Sequence, residues 1–234
     1  MSTKALLFGS IGVLAETSDI QRRAYNQAFE DKGVNWHWDA TTYRYLLQFV
    51  GGQARMKLLS DATGGELSFA LIADIHAYKT RLAATMVQAE VHSARPGIVE
   101  AIAAAKQAGA SIGIVTSTQM ANIEAVAGAA GLDMTTFDVI ISQEDGVKSK
   151  PDPAPYKRAL ERLAITAENV VAIEDTASSA QSAIDAGLET IVTPGAYALQ
   201  QDFRFASHVV PTLLDPEGDL VDPLVRALLA VPSA

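Results

Sequence analysis

Five short apolar runs, rich in β-branched residues and separated by helix-forming stretches, constrain the fold of this chain more than any other feature. They are Ala5–Phe8, Ile112–Thr116, Phe137–Ser142, Val170–Glu174 and Thr190–Thr193. Most are nearly continuous rather than alternating. A strand with one wet face alternates apolar and polar side chains, whereas a strand covered on both faces does not. The runs therefore predict a parallel sheet between two layers of helices. The segments Gly97–Gln107, Gln119–Ala130, Pro153–Leu163 and Ser179–Ala186 between them are helix-like. Ala108-Gly109, Ala130-Gly131 and Ala186-Gly187 supply left-handed caps at helix ends. Asp152-Pro153 supplies a start, with an N-cap carboxylate and proline in the first turn. Repeated strand–helix units imply an α/β fold with a doubly wound sheet.

Residues 16–92 have a different texture, with no strand-like run. Helices are expected over Asp19–Lys32, Asp39–Phe49, Ala54–Ala62 and Ser68–Gln88. Ser18 with Gln21 forms a capping-box pattern for the first. The expected organisation is a core of residues 1–15 and 93–234, with residues 16–92 as a helical cap. An insertion after the first strand sits over the carboxyl ends of the sheet, where open α/β folds bind ligands. A lid there excludes water and helps to choose the substrate.

Charge and composition narrow the partners. The formal charge is -9, a poor match for nucleic-acid phosphates or an anionic membrane surface. There are no cysteines, which excludes disulfides, thiolate zinc sites and a cysteine nucleophile. The apolar run ending at Phe8 is too short for a secretory h-region, and no segment approaches the roughly 20 apolar residues of a membrane span. A cytoplasmic protein is the default expectation.

Chemistry is expected where the strands end. Strand one runs into Phe8-Gly9-Ser10-Ile11-Gly12-Val13-Leu14-Ala15-Glu16-Thr17, and the next ends at Thr116-Ser117-Thr118. Lys148-Ser149-Lys150-Pro151 and Glu174-Asp175-Thr176 follow later strands. In parallel, adjacent strands these loops converge. Thr116 could then donate a hydroxyl hydrogen bond to a phosphate oxygen, and Lys150 could neutralise charge on a phosphoryl group. Glu174 and Asp175 are hard oxygen ligands suited to Mg²⁺. Each has a bland alternative as a strand end, a solvated lysine or a helix cap.

In this order the residues resemble the haloacid dehalogenase superfamily, in its α-helical cap subfamily with a Rossmann-like core. More narrowly, Ala15-Glu16-Thr17, Arg22-Arg23-Ala24-Tyr25-Asn26, Gly51-Gly52, Ile72-Ala73-Asp74-Ile75-His76 and Arg95-Pro96-Gly97-Ile98 resemble the CbbY-type phosphatases. The resemblance implies Mg²⁺-dependent hydrolysis of phosphomonoesters, with sugar phosphates such as xylulose bisphosphate as substrates. It implies a phosphosugar-facing set of Glu16, Arg23, Gly52, Arg55 and Ser117, the first four by position only.

The departures from that family concern the chemistry itself. Its first strand ends Phe-Asp-x-Asp-Gly. The first Asp attacks phosphorus, and the second is the general acid and base. The matching residues here are Gly9 and Ile11, with the register held by Phe8, Gly12, Leu14 and Glu16. Gln21 stands at a family His, Gln53 at a cap Lys, and Ser178 where Asn often follows Glu-Asp. Ser10 lies between the altered positions, and strand alternation would point its side chain away.

The expectation is a phosphosugar or partner-protein binder with impaired catalysis. Its Mg²⁺ binding would be weakened or absent, because one direct carboxylate ligand is gone, although Ile11 could still offer its backbone carbonyl and Glu174 and Asp175 remain. Lys150 would pair directly with Glu174 and Asp175 in the metal's place. The alternative is a hydrolase whose water is activated by Glu174, Asp175 or a metal. A generic dinucleotide binder is disfavoured, since no Gly-x-Gly-x-x-Gly follows strand one.

Overall fold

The computed structural model describes residues 4–49, 51–65, 67–90 and 93–220. Its centre is a six-stranded sheet in which every pairing is parallel. The strands are β1 (Ala5–Phe8), β2 (Ser111–Val115), β3 (Val139–Ile141), β4 (Val170–Glu174), β5 (Glu189–Val192) and β6 (His208–Val209). Their order is β3-β2-β1-β4-β5-β6. The five expected strands are present within a few residues of the expected limits. The sixth was not anticipated. Two residues are too few to carry a pattern, and His208–Val209 is recruited only because β5 presents an edge to pair with.

The continuous apolar runs are continuous because both faces are covered. Leu6 and Phe8 join Ile112, Ile114, Val171 and Ile173 on one face. There they meet Ile98 and Ala101 of α5 (Ile98–Gln107) and Ile123 of α6 (Met120–Ala129). Ala5 and Leu7 point the other way. They pack with Tyr156 and Ala159 of α7 (Ala154–Leu163) and Ala183 of α8 (Ala177–Asp185). Burying Leu6, Leu7 and Phe8 fully contributes about 1.5–3 kcal/mol each against an exposed reference.

The helical segment comprises α1 (Ser18–Asp31), α2 (Ala40–Leu46), α3 (Gly52–Ala62) and α4 (Phe69–Glu90). Tyr25, Phe29, Trp38, Tyr43, Leu46, Met56, Ile72 and Ile75 form its own core. The helix α4 runs from that cluster to the main core, where Val87 is buried. Tyr197 reaches up from the loop after β5 to seat the cap. Its ring lies 5.3 Å from that of Tyr43, and its hydroxyl donates to Asp19 at 2.7 Å.

The expected capping box at Ser18 and Gln21 does not form. Ser18 is the first residue of α1, and Thr17 at the cap position makes no side-chain capping bond. Glu16 Oε1 accepts from Ser18 N instead, at 2.9 Å, which leaves the Gln21 side chain for another partner. Asp152 accepts from Ala154 N at 2.9 Å, although the cap position itself is Pro153.

Candidate functional site

The sheet order changes direction at β1, with β2 on one side and β4 on the other. Ligands of open α/β sheets bind at such a switch point, outside the carboxyl ends of the strands. A cleft of about 320 Å³ opens there beneath the helical segment.

Its floor begins at the end of β1. Gly9 N still donates to Ile173 O at 2.9 Å, in line with the sheet. Beyond it the chain turns, with Val13 N and Leu14 N both donating to Ser10 O at 3.2 and 2.9 Å. Strand alternation ends at Phe8, so it does not govern Ser10. The Ser10 hydroxyl faces the site, not away from it, and donates to Thr116 Oγ1 at 2.9 Å. Ser10 and Thr116 are both buried, yet both line the cleft. They place two hydroxyls side by side at the ends of adjacent strands.

Gly9 has no side chain, and its space is taken. A Cβ built on it would lie 2.7 Å from Glu174 Oε2 and 2.7 Å from Val13 Cγ2. Ile11 is half-buried and lines the cleft with an apolar chain. Gly12 adopts φ +78°, and a Cβ there would run into the Asp175 carboxylate.

Lys150 is 3% exposed, far from the solvated loop lysine of the bland reading. Its ammonium donates to Val115 O at 2.7 Å and to Glu174 Oε1, and it lies 4.9 Å from the centre of the Tyr156 ring. The Tyr156 hydroxyl also donates to Glu174 Oε1. The expected ion pair of Lys150 thus forms with Glu174. No described residue donates a hydrogen bond to the Asp175 carboxylate. Burial, then the neighbouring Glu174 and Glu16, push that carboxyl well above its usual range. Ser117 lines the cleft, and its hydroxyl accepts from Lys150 N at 3.1 Å.

The raised Asp175 carboxyl has a measurable consequence. A carboxyl with a raised folded-state pKa binds its proton more tightly folded than unfolded. Its contribution is complete at low pH and declines as pH rises from the ordinary carboxylate range towards the folded value. Asp175→Asn has no proton to lose. In EDTA near pH 7 it should therefore unfold at a higher temperature than the native chain, with the gap closing towards about pH 4. A gap that stays constant with pH would refute the assignment.

The roof comes from the cap. Gln21 and Tyr25 of α1, Gly52 and Arg55 of α3, and His76 and Lys79 of α4 all line the cleft. A Cβ at Gly52 would collide with the Tyr25 hydroxyl and the His76 ring, so this backbone approaches as closely as it can. Burial, then Lys79 and Arg55, lower the His76 imidazole to about 4, and it is neutral near pH 7. Gln53 and Ser178 also face the cleft.

Two expected contacts are not brought here. Glu16 is exposed, and its carboxylate is engaged by Ser18 N at 2.9 Å and Ala196 N at 2.7 Å. Arg23 points outward to Asp19 and to Glu90, the latter at 2.5 Å. It lies between the inward residues of α1, two positions after Gln21 and just before Ala24 and Tyr25. Lys79 was missed, although its helix offered the signal. Ile72, Ile75, Lys79, Ala83 and Val87 recur at three- and four-residue spacing, which puts a lysine on the buried stripe. Arg95 was also missed. It is half-buried and ties the β1 loop to β5 through Gly12 O and Thr193 O, the latter at 2.7 Å.

This geometry has counterparts. The model of the haloacid dehalogenase-like hydrolases matches residues 3–187. The chain belongs to that family. It is CbbY-like within it: protein CbbY of Cereibacter sphaeroides is 37% identical over 218 residues, covering 92% of this chain and 94% of its own. Protein CbbY of Rhodobacter capsulatus is 35% identical, covering 91% and 95%. The crystal structure of CbbY from Rhodobacter sphaeroides in complex with phosphate superposes with a TM-score of 0.83 at 36% identity, over 90% of this chain and 94% of the other. A mutant of the same protein, in complex with xylulose-(1,5)bisphosphate, gives 0.82.

Family phosphatases generally use Mg²⁺. Among the described residues no three His, Asp or Glu side chains converge to hold a metal. Of the two carboxylates available, Glu174 already receives an ammonium and a phenol on one oxygen. This donor set does not fit a full Mg²⁺ centre. Among the described residues no helix is long and apolar enough to cross a membrane.

Proposed function

We propose that this CbbY-like protein binds phosphorylated sugars in the cleft but has lost the ordinary phosphatase turnover. The observation that carries this reading is the end of β1. Gly9 offers no nucleophile, Ile11 carries no proton, and Glu174 with Val13 fills the space a side chain at position 9 would need. Without that nucleophile no aspartyl phosphate can form.

The cradle that remains suits a phosphate. The Ser10 and Thr116 hydroxyls and the Lys150 ammonium gather at the floor, and Arg55 and Gly52 close it from above. In this reading residues 1–15 and 93–234 are the phosphate-holding core, and residues 16–92 are the cap that selects the sugar. Mg²⁺ binding is weakened by the missing carboxylate and by the Lys150 pair. The crystal complexes of the CbbY relative with phosphate and with xylulose-(1,5)bisphosphate support this choice of ligand class.

A hydrolase using a water activated by the acidic pair is the second reading. It is weaker because burial and the neighbouring Glu174 raise the Asp175 carboxyl well above its usual range, and Glu174 is bound to Lys150 and Tyr156. Neither is a free carboxylate base.

Thermal unfolding with added phosphosugar tests the binding claim. A ligand at 100 times its Kd should stabilise the native chain by about 2.7 kcal/mol. Thr116→Val should lose most of that shift while keeping its own melting transition. Equal shifts in both proteins would count against the cradle.

A further inference from the structure

One lysine in the cleft has no acid partner among the described residues. Lys79 is 5% exposed on the buried stripe of α4, and it lines the cleft wall. Its contacts are the Gln21 amide oxygen and the face of the Tyr25 ring, 4.5 Å from the centroid. Both accept either a charged or a neutral amine. The neighbouring ionisable groups are Arg55 and His76, and among the described residues no carboxylate pairs with it. A buried lysine so placed loses its proton readily and becomes a nucleophile.

The residue that holds the lysine has a spare donor. Gln21 is 2% exposed and lines the cleft, and its Nε2 is buried without a hydrogen-bond partner among the described residues. Lys79 fixes the amide by engaging the other end, so an amine and an unpaired N–H stand together. A carbonyl group uses both at once. Its oxygen accepts from Gln21 Nε2, and its carbon lies open to Lys79 Nζ.

We propose that Lys79 forms a reversible imine with an open-chain phosphorylated aldehyde or ketone held in the cleft. The Nζ lone pair forms a bond to the carbonyl carbon, and the carbonyl π pair moves to oxygen. The two amine hydrogens leave with that oxygen as water, and the carbon–nitrogen double bond remains. No oxidant or reductant is consumed, and water reverses the step. The inference rests on the phosphosugar reading only for the phosphate, which the Ser10–Thr116–Lys150 floor would anchor.

Borohydride trapping on the full chain tests it. Dihydroxyacetone phosphate is added, the protein is reduced, and adducts are mapped by mass spectrometry. Reduction adds a hydride to the imine carbon and a proton to nitrogen, leaving a stable secondary amine. The expected result is an adduct on Lys79 at least tenfold ahead of Lys148, whose side chain is 83% exposed. Burial, then Arg55, lower the Lys79 amine to about 7, so labelling should reach half its maximum near that pH, well below surface lysines. Gln21→Glu, which sets a carboxylate against the amine, should move that midpoint up. Lys79→Met should abolish the adduct.

Labelling spread evenly over exposed lysines, or an unlabelled Lys79, would overturn the proposal. An unlabelled Lys79 in protein that dihydroxyacetone phosphate still stabilises thermally would overturn it while leaving the phosphosugar reading in place. Equal labelling of Lys79 by dihydroxyacetone phosphate and unphosphorylated glycolaldehyde would support the amine site and remove the phosphate anchor instead.

Discussion

The double variant Gly9→Asp/Ile11→Asp is expected to hydrolyse phosphosugars in Mg²⁺ at a rate on the order of 10⁴-fold or more above the native chain. The size follows from what is missing. Members of a catalytic unit fail together, and in the proposed reading the positions of the nucleophile and the acid/base hold Gly9 and Ile11. The structure adds a condition that the residue types alone do not reveal. A new Cβ at position 9 meets Glu174 Oε2 and Val13 Cγ2, each at 2.7 Å. The Glu174 end can swing, but Lys150 and Tyr156 hold it, so an aspartate must draw the Lys150 ammonium partly to itself. The measurement is phosphate release from a phosphosugar panel, native and variant proteins side by side. Comparable turnover by both would end the proposal that catalysis is lost. Mg²⁺ titration of the variant should show tighter binding than the native chain, because the third carboxylate returns.

Lys150→Met carries the largest expected effect on stability, about 3–5 kcal/mol. Lys150 and Glu174 are 3% and 1% exposed at the side chain, so this is a buried pair. Removing the ammonium leaves the Glu174 carboxylate without its counter-charge in a dry site, held among the described residues by the Tyr156 hydroxyl. It also strands Val115 O, which accepts from the same nitrogen at 2.7 Å. Urea unfolding should show the loss, and adding Glu174→Gln should recover much of it. A Lys150→Met protein as stable as the native chain would show the pair to be unimportant for folding. Because Lys150 also forms the cradle floor, the single variant should lose phosphosugar binding whatever its stability.

Most of the fold was legible in the chain itself. Continuous apolar runs such as Val170–Glu174 announce a strand covered on both faces, and the Ala-Gly ends mark where helices stop. The site was legible where a residue follows a strand directly. Thr116, Lys150, Glu174 and Asp175 line one cleft, because parallel strands deliver their carboxyl ends to one edge. Where a local rule ran past the end of its element it failed. Alternation sent Ser10 away from the site, but β1 stops at Phe8 and the turn brings the hydroxyl back to Thr116. Position alone put Arg23 in the cleft, although the inward face of α1 ends at Gln21, two residues before it, and resumes at Ala24, one after.

The amino-acid sequence by itself determined the α/β class, the order of its elements, and the absence of carboxylates at positions 9 and 11. These are local or single-residue properties, set by side-chain periodicity and chemical identity. Only the tertiary structure decided which groups meet. It paired Lys150 with Glu174, raised the Asp175 carboxyl by burial, and put Lys79 of the cap beside Gln21 and Tyr25. Those outcomes depend on sheet order and on how α1 and α4 pack against each other, which no local pattern encodes.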